Sequence, residues 1–396
     1  MNTISVHIKD DPIINSSRIF KITNSLVKGE VVSRCIIIGK WVKGLPEHEI
    51  ASEGKEIIRI KTPLQVLIAE GKFSHPSLFR KIVALYSFYF YHATVLKKLF
   101  ELKNVKFLSI HDPDFFVVSK IYRIIKEVNL IYLPHELESH KTGLSASRRL
   151  IVRAIERIFI VDAQSIVFVC DPIMKWYCKK YNLANSFVVR NVPYKISISE
   201  KGVKINKFRH EFDIPEDHVI FIYQGVIDES RGCGKLLEVF GSVNKDKHIV
   251  MMGYGALSSQ VIEMSKMHSN IHFKQGVPID EIISFTSCAD VGVFFLFEEP
   301  SLSYKLSLPN KFSECIMAGI PVMVSSHLKY MTELITESNL GWSLSPSINQ
   351  LTTLINKLTK SEISSIKVNV DVYSENMGWH IEEMELRKAY LNFSKN

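Results

Sequence analysis

The run Val219-Ile220-Phe221-Ile222-Tyr223-Gln224-Gly225-Val226-Ile227-Asp228-Glu229-Ser230-Arg231-Gly232 decides the fold. Its first part, Val219–Gln224, reads as a strand apolar on both faces. The strand ends at Gly225, a short polar loop follows, and Cys233–Phe240 reads as a helix. A strand with two apolar faces belongs to a parallel sheet covered by helices on both sides. Downstream, the same alternation recurs at His248–Met252, Ile271–Lys274, Val291–Leu296 and Val322–Val324. Upstream it recurs at Ile4–Ile8, Val31–Ile38, Val105–Ile110, Leu130–Leu133, Ser165–Cys170 and Phe187–Val189. Ser16–Lys28 reads as a helix opened by a Ser cap, with Ile19, Ile22, Leu26 and Val27 on one side. The polar stretch Pro193–Gly202 interrupts the series and reads as a linker. The chain is therefore expected to be α/β, with two doubly wound halves of similar size.

Composition agrees. The 396 residues are 46% hydrophobic and 23% charged, which excludes disordered and fibrous classes and suits two domains. Lys and Arg exceed Asp and Glu by 8, which favours acidic partners without choosing among them. The six cysteines, Cys35, Cys170, Cys178, Cys233, Cys288 and Cys315, form no CxxC pair. Neither a zinc site nor a disulfide framework is expected, and reduced thiols suit a cytosolic protein. The N-terminus lacks the pattern of a signal peptide. The uncharged, aromatic-rich run Ile82 to Leu96 has fifteen residues, short of the roughly twenty a membrane-spanning helix needs.

In doubly wound sheets, ligands bind beyond the carboxyl ends of the strands, so motifs there carry most weight. After Gly225 the backbone can approach a phosphate, a helix start offers free N–H groups, and Arg231 supplies a two-pronged cation. The plain alternative is a turn with a solvated arginine. The Walker spacing is absent, because Gly234-Lys235-Leu236 lacks a following Ser or Thr. Gly253-Tyr254-Gly255 stands at the end of the next strand, where a simple turn would also explain the glycines. In Ser307-Leu308-Pro309-Asn310-Lys311-Phe312-Ser313-Glu314-Cys315-Ile316-Met317-Ala318-Gly319-Ile320-Pro321-Val322, Pro309 starts a helix and Gly319 closes it. Lys311 and Glu314 fall on one face. They are either a surface ion pair or a buried carboxylate that needs donors, such as a ribose diol.

These two motifs together resemble the C-terminal half of the family 4 glycosyltransferases, which have the GT-B architecture. Met251–Gly255, Asn270–Gly276 and Cys288–Val293 fit the segments between them in order, and Trp379–Glu383 resembles the family's tail helix. In the first half, Ile110-His111-Asp112, Tyr132–Leu137 and Asn191-Val192-Pro193 fit more loosely. The resemblance implies two Rossmann-like domains facing a cleft. Residues 1–195 would be acceptor-side, 205–375 would bind the nucleotide sugar, and 376–396 would form a helix returning to the first domain. It implies Gly225, Arg231, Gly253, Tyr254, Pro309, Asn310, Lys311 and Glu314 on the donor, and His135, His111 and Arg231 in catalysis. The family's first glutamate falls on Leu306 here, and the basic residue that often follows the glycine is Val226.

Two other signatures are set aside. Asp112-Pro113-Asp114 spells a metal-binding DxD, but the surrounding architecture is not the fold that uses it. His135 and His140 are five apart, where a zinc-protease helix needs four. Neither a metal nor a cofactor is expected, and neither is nucleic acid. Residues 72–100 combine Lys72, Arg80, Lys81, Lys97 and Lys98 with Phe79, Tyr86, Phe88, Tyr89, Phe90 and Tyr91. They read either as a core helix with basic ends or as a surface for weak contact with an anionic membrane.

The whole reading is a retaining hexosyltransferase of surface polysaccharide assembly (capsule, O-antigen or exopolysaccharide). It would take a nucleotide-diphosphate sugar and a glycan or lipid-linked acceptor, in the cytoplasm or on the inner membrane face. The alternatives are a GT-B sugar-nucleotide epimerase and a nucleotide-sugar-binding scaffold that has lost catalysis.

Overall fold

The near-continuous apolar runs become strands buried on both faces. The computed structural model describes residues 3–14, 16–72, 78–195 and 206–391. Residues 196–202 of the expected linker and 73–77 of the basic–aromatic stretch lie outside the described residues. The chain divides into two units, Met1–Asn191 with Glu382–Asn396, and Val192–Ile381.

The first unit holds β1 (Ile4–Ile8), β2 (Arg34–Lys40), β3 (His48–Ser52), β4 (Lys55–Ile60), β5 (Val105–Ile110), β6 (Asn129–Tyr132), β7 (Ser165–Phe168) and β8 (Ser186–Val188). They form one sheet in the order β3-β4-β2-β1-β5-β6-β7-β8. Only β3 and β4 pair antiparallel. The sequence reading did not contain this pair, for a physical reason. Every residue of β3 but Glu49 is exposed, so this edge strand lacks the two-sided apolar run that marked the others.

The second unit holds β9 (Val219–Val226), β10 (Lys247–Tyr254), β11 (Ile271–Gln275), β12 (Val291–Phe294), β13 (Val322–Ser325) and β14 (Gly341–Leu344). Their order is β11-β10-β9-β12-β13-β14, all parallel. This is the doubly wound dinucleotide-fold order. One face of the sheet packs Phe221, Met251 and Val293 against Leu236 and Phe240 of the helix Cys233–Ser242. The other packs Ile222, Val250 and Val324 against Phe312 and Ile316 of the helix Asn310–Met317. Each such side chain taken fully out of water stabilises by roughly 1.5–3 kcal/mol.

In both sheets the strand order reverses beside the first strand of the unit, between β1 and β5 and between β9 and β12. These switch points are where an α/β sheet opens for a ligand. The last helix, Trp379–Leu391, starts in the second unit and continues in the first from Glu382. There Glu382 accepts from the Arg190 backbone N–H at 2.7 Å, and the Tyr390 and Ser109 hydroxyls are 2.7 Å apart.

Some local details differ from expectation. Ser16 precedes the helix Ser17–Lys28, but its hydroxyl turns to Asp11 instead of capping the helix. Pro309 is the residue before the helix Asn310–Met317 instead of its first turn.

Candidate active site

Gly225, the penultimate residue of β9, has φ +119°. A Cβ there would meet the Lys311 Nζ at 2.5 Å, so the missing side chain is what lets Lys311 lie along the strand end. The neighbouring strand approaches as closely. A Cβ on Gly253 would fall 1.8 Å from the Gly225 carbonyl oxygen. Gly253 is therefore explained by β9–β10 packing. Tyr254 follows it, exposed at the end of β10.

The Lys311 ammonium stands 4.7 Å from the Tyr223 ring centre. The Arg231 guanidinium lies 4.8 Å above the Tyr304 ring. Asp228 accepts from the Arg231 backbone N–H at 3.1 Å and so shapes the turn that carries it. Among the described residues no salt bridge ties Lys311 or Arg231 to a carboxylate. Burial, with Arg231 close by, lowers the Lys311 pKa from the usual 10.5 to about 8. The helix Asn310–Met317 begins here, with the Phe312 N–H donating to the Pro309 carbonyl at 3.0 Å in its first turn. Asn310 is exposed in its first turn.

Glu314 is half-buried one turn further on and does not pair with Lys311. It accepts from Gln224 Nε2 at 2.5 Å, while Thr286 Oγ1 donates to Gln224 Oε1 at 2.7 Å. The carboxylate is thus aimed by an amide that is itself held. Neither Gln224 nor Thr286 was singled out by the sequence, and nor were the rings of Tyr223 and Tyr304. A glutamine inside a strand otherwise apolar was the one available signal.

In the first unit, His135 follows β6 and is half-buried. The buried Arg18 donates to the Pro134 carbonyl at 2.8 Å and to the Val167 carbonyl at 3.0 Å, which fixes the turn that carries it. His111, expected to face the sugar with His135, is instead fully buried behind it. Its Nδ1 lies 2.9 Å from His135 Nε2.

Both signatures set aside have local roles. Asp112 accepts from the Asp10 backbone N–H at 2.8 Å, and Asp114 pairs with Arg148. His140 turns to Arg153 and Ser139, away from His135. No described helix is long and apolar enough to cross a membrane.

Residues 237–383 match the family described as Glucosyltransferase 3-like, C-terminal domain. Glucosyltransferase 3 of Streptococcus gordonii is 24% identical over 244 residues, covering 56% of this chain and 68% of that protein. Sucrose-phosphate synthase of Thermosynechococcus elongatus superposes with a TM-score of 0.70 at 14% identity, covering 98% of each chain. HepE of Anabaena, solved in complex with UDP-glucose, gives 0.66 at 12% identity, covering 97% of this chain and 98% of its own. The chain has the fold of the GT-B glycosyltransferases over nearly its whole length.

Proposed function

We propose that this GT-B chain is a glycosyltransferase that moves a sugar from a nucleotide-diphosphate donor to a glycan or lipid-linked acceptor. The observation that carries the reading is Lys311 beside Arg231 at the switch point of the second sheet, with no salt bridge to a carboxylate at either among the described residues. Two like charges held together, one already with a lowered pKa, are stabilised when an anion joins them. A diphosphate is such an anion.

The chemistry follows from that placement. As the bond from the sugar to the diphosphate breaks, negative charge grows on the leaving oxygens. Lys311, Arg231 and the positive end of the helix Asn310–Met317 meet that charge. Glu314, aimed by Gln224, accepts from the ribose hydroxyls. Gly225 keeps the strand end open for the approach. His135 is the group that the resemblance brings to the sugar. Retention at the anomeric carbon, hexosyl transfer and a place in surface polysaccharide assembly rest on that resemblance. A lipid-linked acceptor would add weak contact with an anionic membrane through residues 72–100.

Calorimetry over UDP-, GDP- and ADP-sugars tests the donor site, with the likeness to HepE favouring UDP-glucose as the first to try. We expect saturable binding of one nucleoside diphosphate and, with acceptor, a product whose anomeric proton coupling matches the donor's. A donor returned epimerised, or bound without turnover alongside every acceptor class, would overturn the transferase reading.

A further inference from the structure

The antiparallel ribbon β3–β4 has no counterpart in the second sheet, and one of its faces lines a cavity of about 410 Å³. Sites for small molecules run from roughly 300 to 1,000 Å³. Side chains alternate along a strand, so Glu49 and Ala51 of β3 share that face with Lys55, Ile57 and Arg59 of β4. Ile13 and Ile14 after β1, Phe20 of the helix Ser17–Lys28 and Leu45 after β2 complete the walls. Ile13 has φ +54°, which a β-branched residue rarely adopts, and its buried side chain packs on Ile37 and Ile57. Strain of this kind persists only where the surroundings over-determine it, and it concentrates at ligand sites.

The polar groups of the cavity are placed at its two ends. Arg59 is buried and held on several sides. Its Nε donates to the Pro12 carbonyl at 2.9 Å. Its Nη1 donates to the Pro46 carbonyl at 3.1 Å and to Glu49 Oε2 at 2.7 Å, and its Nη2 to the Ile13 carbonyl at 3.4 Å. A guanidinium has five N–H groups. One N–H on Nη2 therefore has no acceptor among the described residues, and Glu49 Oε1 has no donor among them. Four residues along the strand, about 13 Å at the rise of a β-strand, stands Lys55. Its ammonium donates to Asn24 Oδ1 and pairs with no carboxylate among the described residues, which leaves it two N–H groups.

These features select a ligand. A hydrocarbon chain would bury the Lys55 ammonium and the spare Arg59 N–H without partners, which is costly. A free anion at the Arg59 end would meet the Glu49 carboxylate. A sugar ring brings C–H faces to Ile14, Phe20 and Ile57. Its hydroxyls both donate and accept, as the Glu49–Arg59 pair requires.

We propose that the β3–β4 pocket is a saccharide-binding site for a short, neutral stretch of glycan, with Glu49 and Arg59 on hydroxyls at one end and Lys55 on a hydroxyl at the other. It lies in the first unit, whereas Lys311 and Arg231 are in the second. That the bound sugar belongs to the acceptor rests on the glycosyltransferase reading; the sugar binding does not.

The full chain labelled at its isoleucine δ-methyls reports binding directly, because Ile13, Ile14 and Ile57 line the pocket. Titration with maltose, cellobiose, lactose and chitobiose should shift these three resonances saturably, in the millimolar range, for at least one sugar. Ala51→Trp lays an indole over the exposed floor of the ribbon and should abolish the shifts while UDP affinity stays unchanged. Should that variant fail to fold, Lys55→Met keeps the stem, loses the ammonium and should weaken sugar binding about tenfold. Shifts produced by octanol and by none of the four sugars would make this a site for apolar chains and overturn the proposal. Shifts produced by none of the five probes would overturn it too, as would sugar shifts that persist unweakened in both variants. Turnover gives an independent readout: Ala51→Trp should raise KM for an oligosaccharide acceptor about tenfold with kcat and the donor KM little changed. If the sugars bind as expected while no sugar nucleotide is turned over, the pocket stands and the glycosyltransferase reading falls.

Discussion

At the scale of single residues, the proposed donor end sets the cations Lys311 and Arg231 near one another. Arg231 is held by the Tyr304 ring and by the turn that Asp228 shapes. A cation–π contact at a partly exposed site contributes only about 0.5–1 kcal/mol. Arg231→Ala should therefore unfold at nearly the wild-type temperature while kcat falls roughly 100- to 1,000-fold, as when one donor to a developing oxyanion is removed. Wild-type turnover in that variant would remove Arg231 from the phosphate. Lys311 adds a pH signature. Its pKa near 8 means that the free protein loses this charge as pH rises through 8. A bound diphosphate favours the charged form, so nucleotide binding between pH 8 and 9 should take up a proton. Calorimetry in buffers of different ionisation enthalpy measures that uptake, and a value of zero at pH 8.5 would place the anion elsewhere. Glu314→Gln keeps the shape but loses a charged acceptor, so nucleotide affinity should drop by about 1.5–3 kcal/mol, read by titration of the folded variant. Gly225, Arg231 and Lys311 could be singled out in the sequence because each sits at a strand end or helix start, and Glu314 because it is a carboxylate in an otherwise apolar helix. Gln224, Thr286 and Tyr304 could not, because their roles exist only once three separate segments meet.

At the scale of elements, the strands were legible wherever both faces are buried. Val219–Val226 and Val322–Ser325 are examples. The exposed edge strand His48–Ser52 was not, and neither were the polar contacts that run across strands. One such contact links His218, His248 and His272. His218 Nδ1 lies 2.8 Å from His248 Nε2, and His248 Nδ1 lies 2.9 Å from His272 Nε2. Burial lowers the pKa of both His248 and His272 to about 4. Arg209 adds to the effect at His248 and Asp246 opposes it. The unfolded chain binds these protons near pH 6.5 and the folded chain only near 4, so stability is lost as pH falls through that window. Each ring should contribute roughly 1 kcal/mol per pH unit there. Thermal unfolding from pH 7 to 4 should show a steeper fall for the wild type than for His272→Gln. Parallel curves would mean that the rings protonate without unfolding.

At the scale of the whole molecule, the net charge of +8 has an address. The helices Leu78–Glu101, Phe115–Ile125 and Ala146–Phe159 hold ten Lys or Arg and two Glu. One of the two, Glu156, is buried beneath the hydroxyls of Tyr132, Tyr177 and Tyr181. The three helices lie side by side, joined by Phe100 on Tyr122 and by Phe116 on Phe159. In the first of them only Ser87, Tyr91, Val95 and Leu99 are buried. The aromatic stretch is thus no core helix: Phe79 is 62% and Tyr89 64% exposed, and Ile124 and Leu150 on the next two helices are 76% and 65% exposed. An apolar face of this extent suits the membrane contact proposed for it. A second copy of the chain would set cations against cations, whereas anionic lipid complements them. Each Lys or Arg near such a surface contributes about 1 kcal/mol. Lys72 and Lys98 are already paired with Glu70 and Glu101, so they count for less than the exposed Lys81, Lys97 and Arg157. Changing these last three to Gln should weaken sedimentation with phosphatidylglycerol vesicles by about 3 kcal/mol, roughly a hundredfold, at low salt. Neutral vesicles should bind little of either protein, and half-molar salt should release the wild type, because its screening length is only a few ångströms. Nucleotide affinity should stay unchanged in the variant, since none of the three lies in the second unit. Equal, negligible binding of the wild type to both vesicle types would end the membrane reading and leave a soluble acceptor as the one to pursue.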